Sequence, residues 1–144
     1  MDNEATSPRL WAYALIGHED RLLLIPNAEL DVYLLPGTAV LSGEPVEHGL
    51  RRALYQQFAT TVDDVDFYAA VEHGTHDHDR GSRSEVALLF DVTLTEPDHL
   101  TRPGRHVWVD DRELTALAVR PEAVKDCLLR APLSSRTPWW AWTP

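Results

Sequence analysis

The stretch "LPGTAVLSGEPVEHGLRRALYQQFATT", residues 35–61, holds the residues whose spacing points to chemistry. Gln56 and Gln57 lie three and four positions after Ala53. On a helix the three side chains therefore share one face. Carboxylates at this spacing would present negative charge to Mg²⁺ or Mn²⁺, hard cations that bind anionic oxygen. An alanine and two neutral amides supply none of that charge. The stretch therefore has the spacing of a cation site without its anionic ligands.

Carboxylates outside this face are the other groups that could bind a cation or act as a base. Glu47 precedes Arg51 by four residues, which favours an ion pair on the surface of a helix. Glu72 and Glu85 are the weak catalytic candidates, and Glu85 is expected to be exposed where it opens a strand. The remaining acidic side chains that could take part are Asp77, Asp79 and Asp91.

The segment "EHGTHDHD", residues 72–79, alternates histidine with acidic residues. Its histidines are His73, His76 and His78. Such a pattern can collect Zn²⁺ or Ni²⁺, but this spacing matches no closed metal motif. A polar stretch rich in Gly and Ser is typical of an exposed loop. We therefore predict a solvated loop between two strands and no metal site.

The hydrophobic pattern predicts the elements that must position these residues. Residues 9–25 indicate a β-hairpin around "GHED", and the run "VYLL" indicates a strand that ends at the turn Pro36-Gly37. An apolar residue at every fourth position predicts a helix over residues 46–59, directly after Pro45. The apolar positions of this helix are Val46, Leu50, Leu54 and Phe58.

Further strands are predicted over residues 67–72, 85–94 and 106–110. The segments "DRELTAL" and "RPEAVKDCLLRA" predict two more helices, the second with Pro121 at its start. Strands come before, between and after the helices without strict alternation, which favours mixed α/β layers over a doubly wound sheet. The chain shows no internal repeat and no linker, so we expect residues 1–144 to form a single domain.

In this order of elements and in the stretch quoted first, the chain resembles the Nudix superfamily over residues 9–131. The box of that family runs Gly, five residues, Glu, seven residues, then Arg-Glu-apolar-x-Glu-Glu-x-Gly-apolar. With Thr38 at the first glycine, Glu44 falls on the first glutamate, Arg52 on the arginine and Leu54 on the apolar position. The resemblance implies an α/β/α sandwich with a mixed β-sheet, in which the box helix covers about residues 46–59.

The box at residues 38–60 departs from the family pattern at Thr38, Ala53, Gln56, Gln57 and Ala59. By resemblance, Glu44 pairs with Arg52 and fixes the loop to the helix. These structural residues of the box are kept. The metal-binding glutamates of the box are replaced. Losing one strong electrostatic element can lower turnover by roughly 10²- to 10³-fold. The ligand-binding cleft implied by the resemblance comprises Gly37, Thr38, Glu44, Arg52, Gln56 and Gln57.

Three functions are compatible with this pattern. The first is a Nudix-like protein that binds a phosphorylated or nucleotide-like small molecule, or a partner, with little or no pyrophosphohydrolase activity. The second is an active hydrolase that cleaves a nucleoside diphosphate linked to another moiety, using Mg²⁺ or Mn²⁺ held by displaced carboxylates. The third is a different reaction, in which the amides of Gln56 and Gln57 hydrogen-bond an uncharged substrate. We favour the first and assign no cofactor.

Composition and charge exclude several other classes of protein. The chain has 144 residues, 44% of them hydrophobic and 25% charged, which is typical of a globular protein. Thirteen basic residues against 23 acidic ones give a net charge of −10, and such a surface repels a phosphate backbone, so we expect no nucleic-acid partner. No apolar run approaches the roughly 18–20 residues of a membrane helix. The polar start "MDNEATSPR" shows no signal peptide, so we expect a cytoplasmic protein without a membrane partner.

The C-terminal third contains two further features. Cys127 shares a predicted helix face with Val124, Leu128 and Ala131, which indicates a buried thiol of the core. The tail at residues 132–144 contains Trp139, Trp140 and Trp142. Three indoles in water would favour aggregation, so we expect the tail to fold back on its own apolar surface or to pair across a homodimer.

Overall fold

The computed structural model describes residues 9–77, 81–101, 104–130 and 139–141. Its strands are β1 (Arg9–His18), β2 (Arg21–Asn27), β3 (Val32–Leu34), β4 (Gly37–Ala39), β5 (Val62–Asp77), β6 (Gly81–Leu94), β7 (Val107–Val109), β8 (Val119–Arg120) and β9 (Trp139–Trp140). Its helices are α1 (Val46–Phe58), α2 (Asp111–Ala116) and α3 (Glu122–Arg130), with a 3₁₀ helix at Pro97–Leu100. No helix in these described ranges is long and apolar enough to cross a membrane.

The strands form one mixed sheet around β1. Its order is β8-β3-β2-β1-β6-β5-β9, while β4 pairs with β1 and β7 pairs with β2. Strand β1 runs parallel to β6 over Arg9–Ile16 and antiparallel to β2 and β4. This one strand therefore connects the two halves of the sheet.

Alternating residues of β1 belong to two hydrophobic cores on opposite faces of the sheet. Ala12, Ala14 and Ile16 pack in the core that includes Leu50 and Leu54 of α1. Leu15 belongs to the other core, which includes Val124 and Cys127 of α3. The result is an α/β/α arrangement with a mixed sheet, as predicted.

The thiol of Cys127 is fully buried, which confirms that it is a core residue. Burial raises the pKa of this thiol to about 11, so the nucleophilic thiolate is scarce at neutral pH.

The predicted hairpin and box helix form with small differences at their ends. In the hairpin, Glu19 and Asp20 form a two-residue turn with positive φ angles, while His18 pairs with Arg21. The turn is thus shorter than the predicted "GHED". Helix α1 ends at Phe58, and Ala59 adopts the left-handed conformation with φ 52° and donates its N–H to the Tyr55 carbonyl.

The prediction of an exposed loop after residue 72 is wrong for residues 73–77 and 81–84, which belong to strands. Strands β5 and β6 continue beyond the predicted limits, and Gly74 pairs with Ser84 and His76 with Ser82. Backbone hydrogen bonds do not need apolar side chains, so a polar hairpin arm can extend past the core. His78 and Asp79 lie outside the described residues, and of Asp77 only the backbone is described.

Part of the C-terminal tail forms an unpredicted strand. In β9, Trp139 and Trp140 pair in parallel with Ala70 and Val71 of β5. The side chain of Trp140 packs against the core on the α3 face, while Trp139 is 52% exposed. The self-packing interpretation therefore holds for Trp140. Trp142, Ala131 and residues 132–138 lie outside the described residues.

The segment after β3 is a strand, not only a turn. Gly37 to Ala39 form β4, which pairs antiparallel with Tyr13 to Trp11 of β1. A Cβ atom at Gly37 would overlap the Ala12 carbonyl oxygen and come within 2.8 Å of Cδ1 of Tyr13. Glycine is therefore required at this position because the two backbones approach so closely.

We predict that Gly37→Ala lowers the free energy of unfolding by about 1–3 kcal/mol, because the added methyl group must push β4 away from β1. Urea denaturation measures this change. The matched control is Gly17→Ala, where a Cβ would make only an ordinary 3.7 Å contact with the Arg21 carbonyl oxygen. Equal stability of the two variants would contradict the close approach of β4.

We predict that Ala59→Gly raises the free energy of unfolding by about 0.5–1 kcal/mol, because glycine adopts the left-handed conformation without a Cβ penalty. Ala59→Val is expected to lower it, because a β-branched side chain is disfavoured there. Thermal denaturation of both variants tests the pair. The reverse order of stabilities would be incompatible with the left-handed end of α1.

Candidate functional site

The loop before α1 is attached to the helix by a two-point ion pair between Arg52 and Glu44. Nε of Arg52 donates to Oε2 of Glu44 at 3.1 Å, and Nη2 of Arg52 donates to Oε1 at 2.9 Å. The hydrogen bond from Arg52 is the main reason that the pKa of Glu44 is lowered, and the same bond raises the pKa of Arg52. The predicted pairing of these two residues is confirmed.

A glycine inside α1 makes room for this pair. A Cβ atom at Gly49 would lie 2.7 Å from Oε1 of Glu44. Gly49 is buried, and the Glu44 carboxylate takes the space that a side chain would need. Sequence reasoning missed this role, although a glycine inside a helical pattern is itself a signal of close packing.

The shared face of α1 carries different roles at its three positions. Ala53 is buried, with 4% of its surface exposed, and has no polar group to offer a ligand. Gln56 is exposed. Nε2 of Gln57 donates a hydrogen bond of 3.1 Å to the carbonyl oxygen of Gly37 in β4. A glutamate at position 57 could not donate this bond, because an ionised carboxylate only accepts.

Residues Gly37, Thr38, Glu44, Arg52 and Gln57 therefore lie on contiguous elements: strand β4, the loop that follows it, and α1. Thr38 is part of β4, and its hydroxyl group lies 3.4 Å from the Ala39 carbonyl oxygen. Glu47 forms the predicted ion pair with Arg51, at 3.0 Å. Glu44 is joined to Arg52 by an ion pair, and Gln57 is joined to Gly37 by a hydrogen bond.

The two weak catalytic candidates lie on opposite faces of the sheet. Glu72 pairs with Val86 and Glu85 pairs with His73 across β5 and β6. Because side chains alternate along a strand, Glu72 is on the α1 face and Glu85 is on the α3 face. The structure does not bring these two carboxylates together.

Glu85 is partly buried beside other polar groups, so the expectation that it is exposed is wrong. Its Oε2 lies 3.7 Å from Nε2 of His73, and 21% of its side chain is exposed. Burial lowers the pKa of His73, while the Glu85 carboxylate acts in the opposite direction. Burial, and secondarily the charge of Glu85, raises the pKa of Tyr13 to about 12. Glu85 and His73 meet because they face each other across the adjacent strands β6 and β5.

The described side chains do not form a metal site. Among the side chains that the structure describes, which exclude those of residues 75–82, no group of three His, Cys, Asp or Glu could hold a metal ion. On the N-terminal side of the shared face, Glu44 and Glu47 are each engaged by an arginine.

Solved structures share this architecture over most of the chain. The MutT protein of Bacillus halodurans matches 93% of this chain and 86% of its own, with a TM-score of 0.66 and 13% identity. A NUDIX hydrolase from Nitrosomonas europaea matches 92% of this chain and 93% of its own, with a TM-score of 0.60 and 17% identity. This chain has the Nudix fold.

A third similar structure is the NUDIX domain of Shewanella oneidensis NrtR in complex with ADP ribose. It matches 85% of this chain and 84% of its own, with a TM-score of 0.58 and 15% identity. NrtR has also been solved with a 27mer DNA, and there the match covers 58% of that chain. No family model matches this sequence, and no curated protein sequence matches it. At these identities the similarity identifies the Nudix fold.

We predict that Glu44→Gln destabilises the protein at neutral pH and has a smaller effect in acid. Because the pKa of Glu44 is lower in the folded chain than its ordinary value of 4.5, the ion pair stabilises fully above that value. Its contribution is lost as the pH falls through the lowered pKa. Urea denaturation of the wild type and the variant between about pH 3 and pH 7 measures the difference.

The control is Glu29→Gln, because Glu29 is exposed and makes no ion pair with any residue in the described part of the chain. That substitution is expected to leave stability unchanged at each pH. A loss of stability in Glu44→Gln that is independent of pH would contradict the electrostatic role of the pair.

Proposed function

We propose that this Nudix-fold protein binds a phosphorylated, nucleotide-like small molecule and has little or no ordinary pyrophosphohydrolase activity. The binding cleft comprises Gly37, Thr38, Glu44, Arg52, Gln56 and Gln57. The observation that carries this proposal is the hydrogen bond from the Gln57 amide to the Gly37 carbonyl oxygen. A side chain that would hold a cation in a Nudix hydrolase here joins α1 to β4.

The residues of this face do not fit Mg²⁺ or Mn²⁺. These ions need anionic oxygen ligands, and this face offers a buried methyl group and two neutral amides. A carboxylate at position 53 would be placed in a buried site, where an uncompensated charge is unfavourable. We therefore derive no catalytic step through a metal ion for this protein.

The Glu44–Arg52 ion pair and the Gln56 amide support ligand binding without catalysis. The Glu44–Arg52 pair is internally neutralised, so it holds the loop against α1 without a cation. The exposed amide of Gln56 can donate hydrogen bonds to a phosphate or a sugar hydroxyl group. The ADP ribose bound to the NUDIX domain of NrtR, which shares the fold, supports a nucleotide-like ligand.

Nucleic acid is a poorer partner for this chain, although NrtR has been solved with DNA. The net charge of −10 opposes the phosphate backbone of a polynucleotide. A small ligand carries less charge and can enter a local site of different potential.

We also propose a homodimer, because Trp139 of the tail is half exposed on the edge strand β9, where a second copy of the chain could cover it.

The alternative is a hydrolase that uses displaced carboxylates. It is favoured by one observation, the position of Glu72 on the same face of the sheet as α1. This alternative predicts that Glu72→Gln abolishes phosphate release while the fold is kept. It predicts no such loss for Glu85→Gln, because Glu85 lies on the other face.

We predict that Gln56→Glu/Gln57→Glu acquires saturable Mn²⁺ binding that the wild type lacks, because the two new carboxylates lie on either side of the helix row that contains Ala53. Both positions are exposed, so the new charges are not buried. Calorimetry measures the binding. The control is Tyr55→Glu, which adds a carboxylate at an exposed neighbouring position on a different helix face.

The ligand is tested in the same instrument with ADP ribose and other nucleoside diphosphate derivatives, in the presence of a chelator. The wild type is expected to bind a member of this panel without a divalent cation and to release no phosphate from it. Binding that requires Mg²⁺, or Mn²⁺ affinity in the wild type equal to that of the double variant, would overturn the proposal.

A further inference from the structure

His73 lies in β5 at the point where the apolar core ends and a polar arm of the sheet begins. We define the arm as residues 73–77 of β5 and residues 81–85 of β6, which pair with each other along their whole length. On the core side of His73, the neighbouring pair Val71 and Ala87 is buried and apolar. His73 itself is only 7% exposed and is one of two buried polar residues in the described part of the chain. The arm therefore joins the core through a buried imidazole.

The carboxylate of Glu85 is the charge that this imidazole meets. The two residues are directly opposite each other in the register of β5 and β6. Oε2 of Glu85 lies 3.7 Å from Nε2 of His73, which is too long for a hydrogen bond. Because 21% of the Glu85 side chain is exposed, water screens part of its charge. The carboxylate therefore compensates only in part for the burial of a charged imidazole.

Burial and the carboxylate act on the proton of His73 in opposite directions. Burial disfavours the charged imidazole, whereas a nearby carboxylate favours it. Burial has the larger effect, so the pKa of His73 lies below its ordinary value of 6.5. The buried imidazole consequently stabilises the closed arm above pH 6.5, and this stabilisation is lost as the pH falls through the lowered pKa. Opening the arm returns the imidazole to water, where it takes up a proton more readily.

The other strands on this face of the sheet supply no second carboxylate beside His73 among the described side chains. On β6, Arg83 is two residues from Glu85 and carries a positive charge, which does not favour a protonated imidazole. On β1, Arg9 is exposed, and the pKa of Tyr13 is about 12, so its hydroxyl group stays neutral in acid. On β9, Trp140 does not titrate.

Helix α3 packs on the same face, and its charged groups are engaged elsewhere or exposed. These residues are Glu122, Lys125, Asp126 and Arg130. The first forms an ion pair with Arg120, the second donates to two backbone carbonyl oxygens, and the last two are exposed. The thiol of Cys127 stays neutral in acid, because its pKa is raised to about 11. Glu85 is thus the carboxylate that determines how His73 responds to acid.

We propose that His73 and Glu85 form an acid-sensitive contact that holds the arm of β5 and β6 to the core. At neutral pH the uncharged imidazole is buried and the arm is closed. In mild acid the imidazole takes up a proton, and the arm opens locally while the centre of the sheet keeps its pairing. This device is independent of the proposed ligand site, because it lies on the α3 face of the sheet and the ligand site lies at α1.

The experiment measures hydrogen–deuterium exchange of the full chain by mass spectrometry at pH 7 and pH 5, with exchange times corrected for the intrinsic rate. Protection of the arm is expected to fall about three- to tenfold at pH 5 and to be lower than that of β1 at both values. The Glu44 ion pair does not contribute to this change, because its stabilisation is lost only below pH 4.5. Arm protection that is unchanged by pH, or equal to that of β1 at pH 5, would overturn the proposal.

Two variants are expected to change the response to acid in opposite directions. His73→Gln replaces the imidazole by a neutral amide, so the fall in protection between pH 7 and pH 5 should disappear. Glu85→Gln removes the carboxylate that favours the protonated imidazole, so the fall should become larger than in the wild type. His99→Gln, at an exposed histidine of the 3₁₀ helix, is the control and should respond like the wild type. A wild-type response in His73→Gln would contradict the role of His73.

A direct titration tests the same contact if His73→Gln does not fold. The imidazole signals of the wild type and of Glu85→Gln are followed by NMR between pH 4.5 and pH 8. The pKa of His73 is expected below 6.5 in the wild type and lower still in Glu85→Gln. A pKa at or above 6.5 in the wild type, or no change in the variant, would overturn the proposal.

Discussion

The close approach of β4 to β1 at Gly37 is the constraint on which the rest of the site depends. No side chain fits between Gly37 and the backbone of Ala12 and Tyr13. The carbonyl group of the same glycine accepts the hydrogen bond from Gln57, so the central strand, β4 and α1 are joined at one residue. The packing of β4 against β1 and the attachment of α1 to β4 both depend on this residue. A displacement of β4 would alter both contacts.

The ion pair that fixes the loop before α1 is separate from the face of α1 that would bind a metal ion. Glu44 and Arg52 neutralise each other within one ion pair, and Gly49 leaves the space that the pair needs. This anchor needs no metal ion, so the loop before α1 can keep its position when the neighbouring face carries no charge. Ala53 adds to this independence, because a buried methyl group packs where a buried carboxylate would need a partner.

Much of the fold could be predicted because short-range patterns determine it. Apolar residues at every fourth position and Pro45 predict α1 to within one residue of its end, and "GHED" marks the first hairpin. The polar arms of β5 and β6 could not be predicted, since their pairing depends on backbone hydrogen bonds and not on side-chain pattern. The short strands β8 and β9 contain two residues each, too few to show a periodicity.

The site was predicted only where its residues are close in sequence. Glu44, Arg52 and Gln57 lie within one motif, so their spacing implied a shared location. His73 and Glu85 meet only through the register of β5 and β6, which no local pattern reveals.

The central claim, a Nudix fold that works without a metal-dependent hydrolytic centre, is tested most directly by calorimetric titration of the purified wild-type protein with Mg²⁺ and Mn²⁺. Phosphate release from the nucleoside diphosphate panel is followed in the same samples. We predict no saturable cation binding and no release. Saturable binding accompanied by turnover would contradict the claim and would place the catalytic carboxylates elsewhere in the chain.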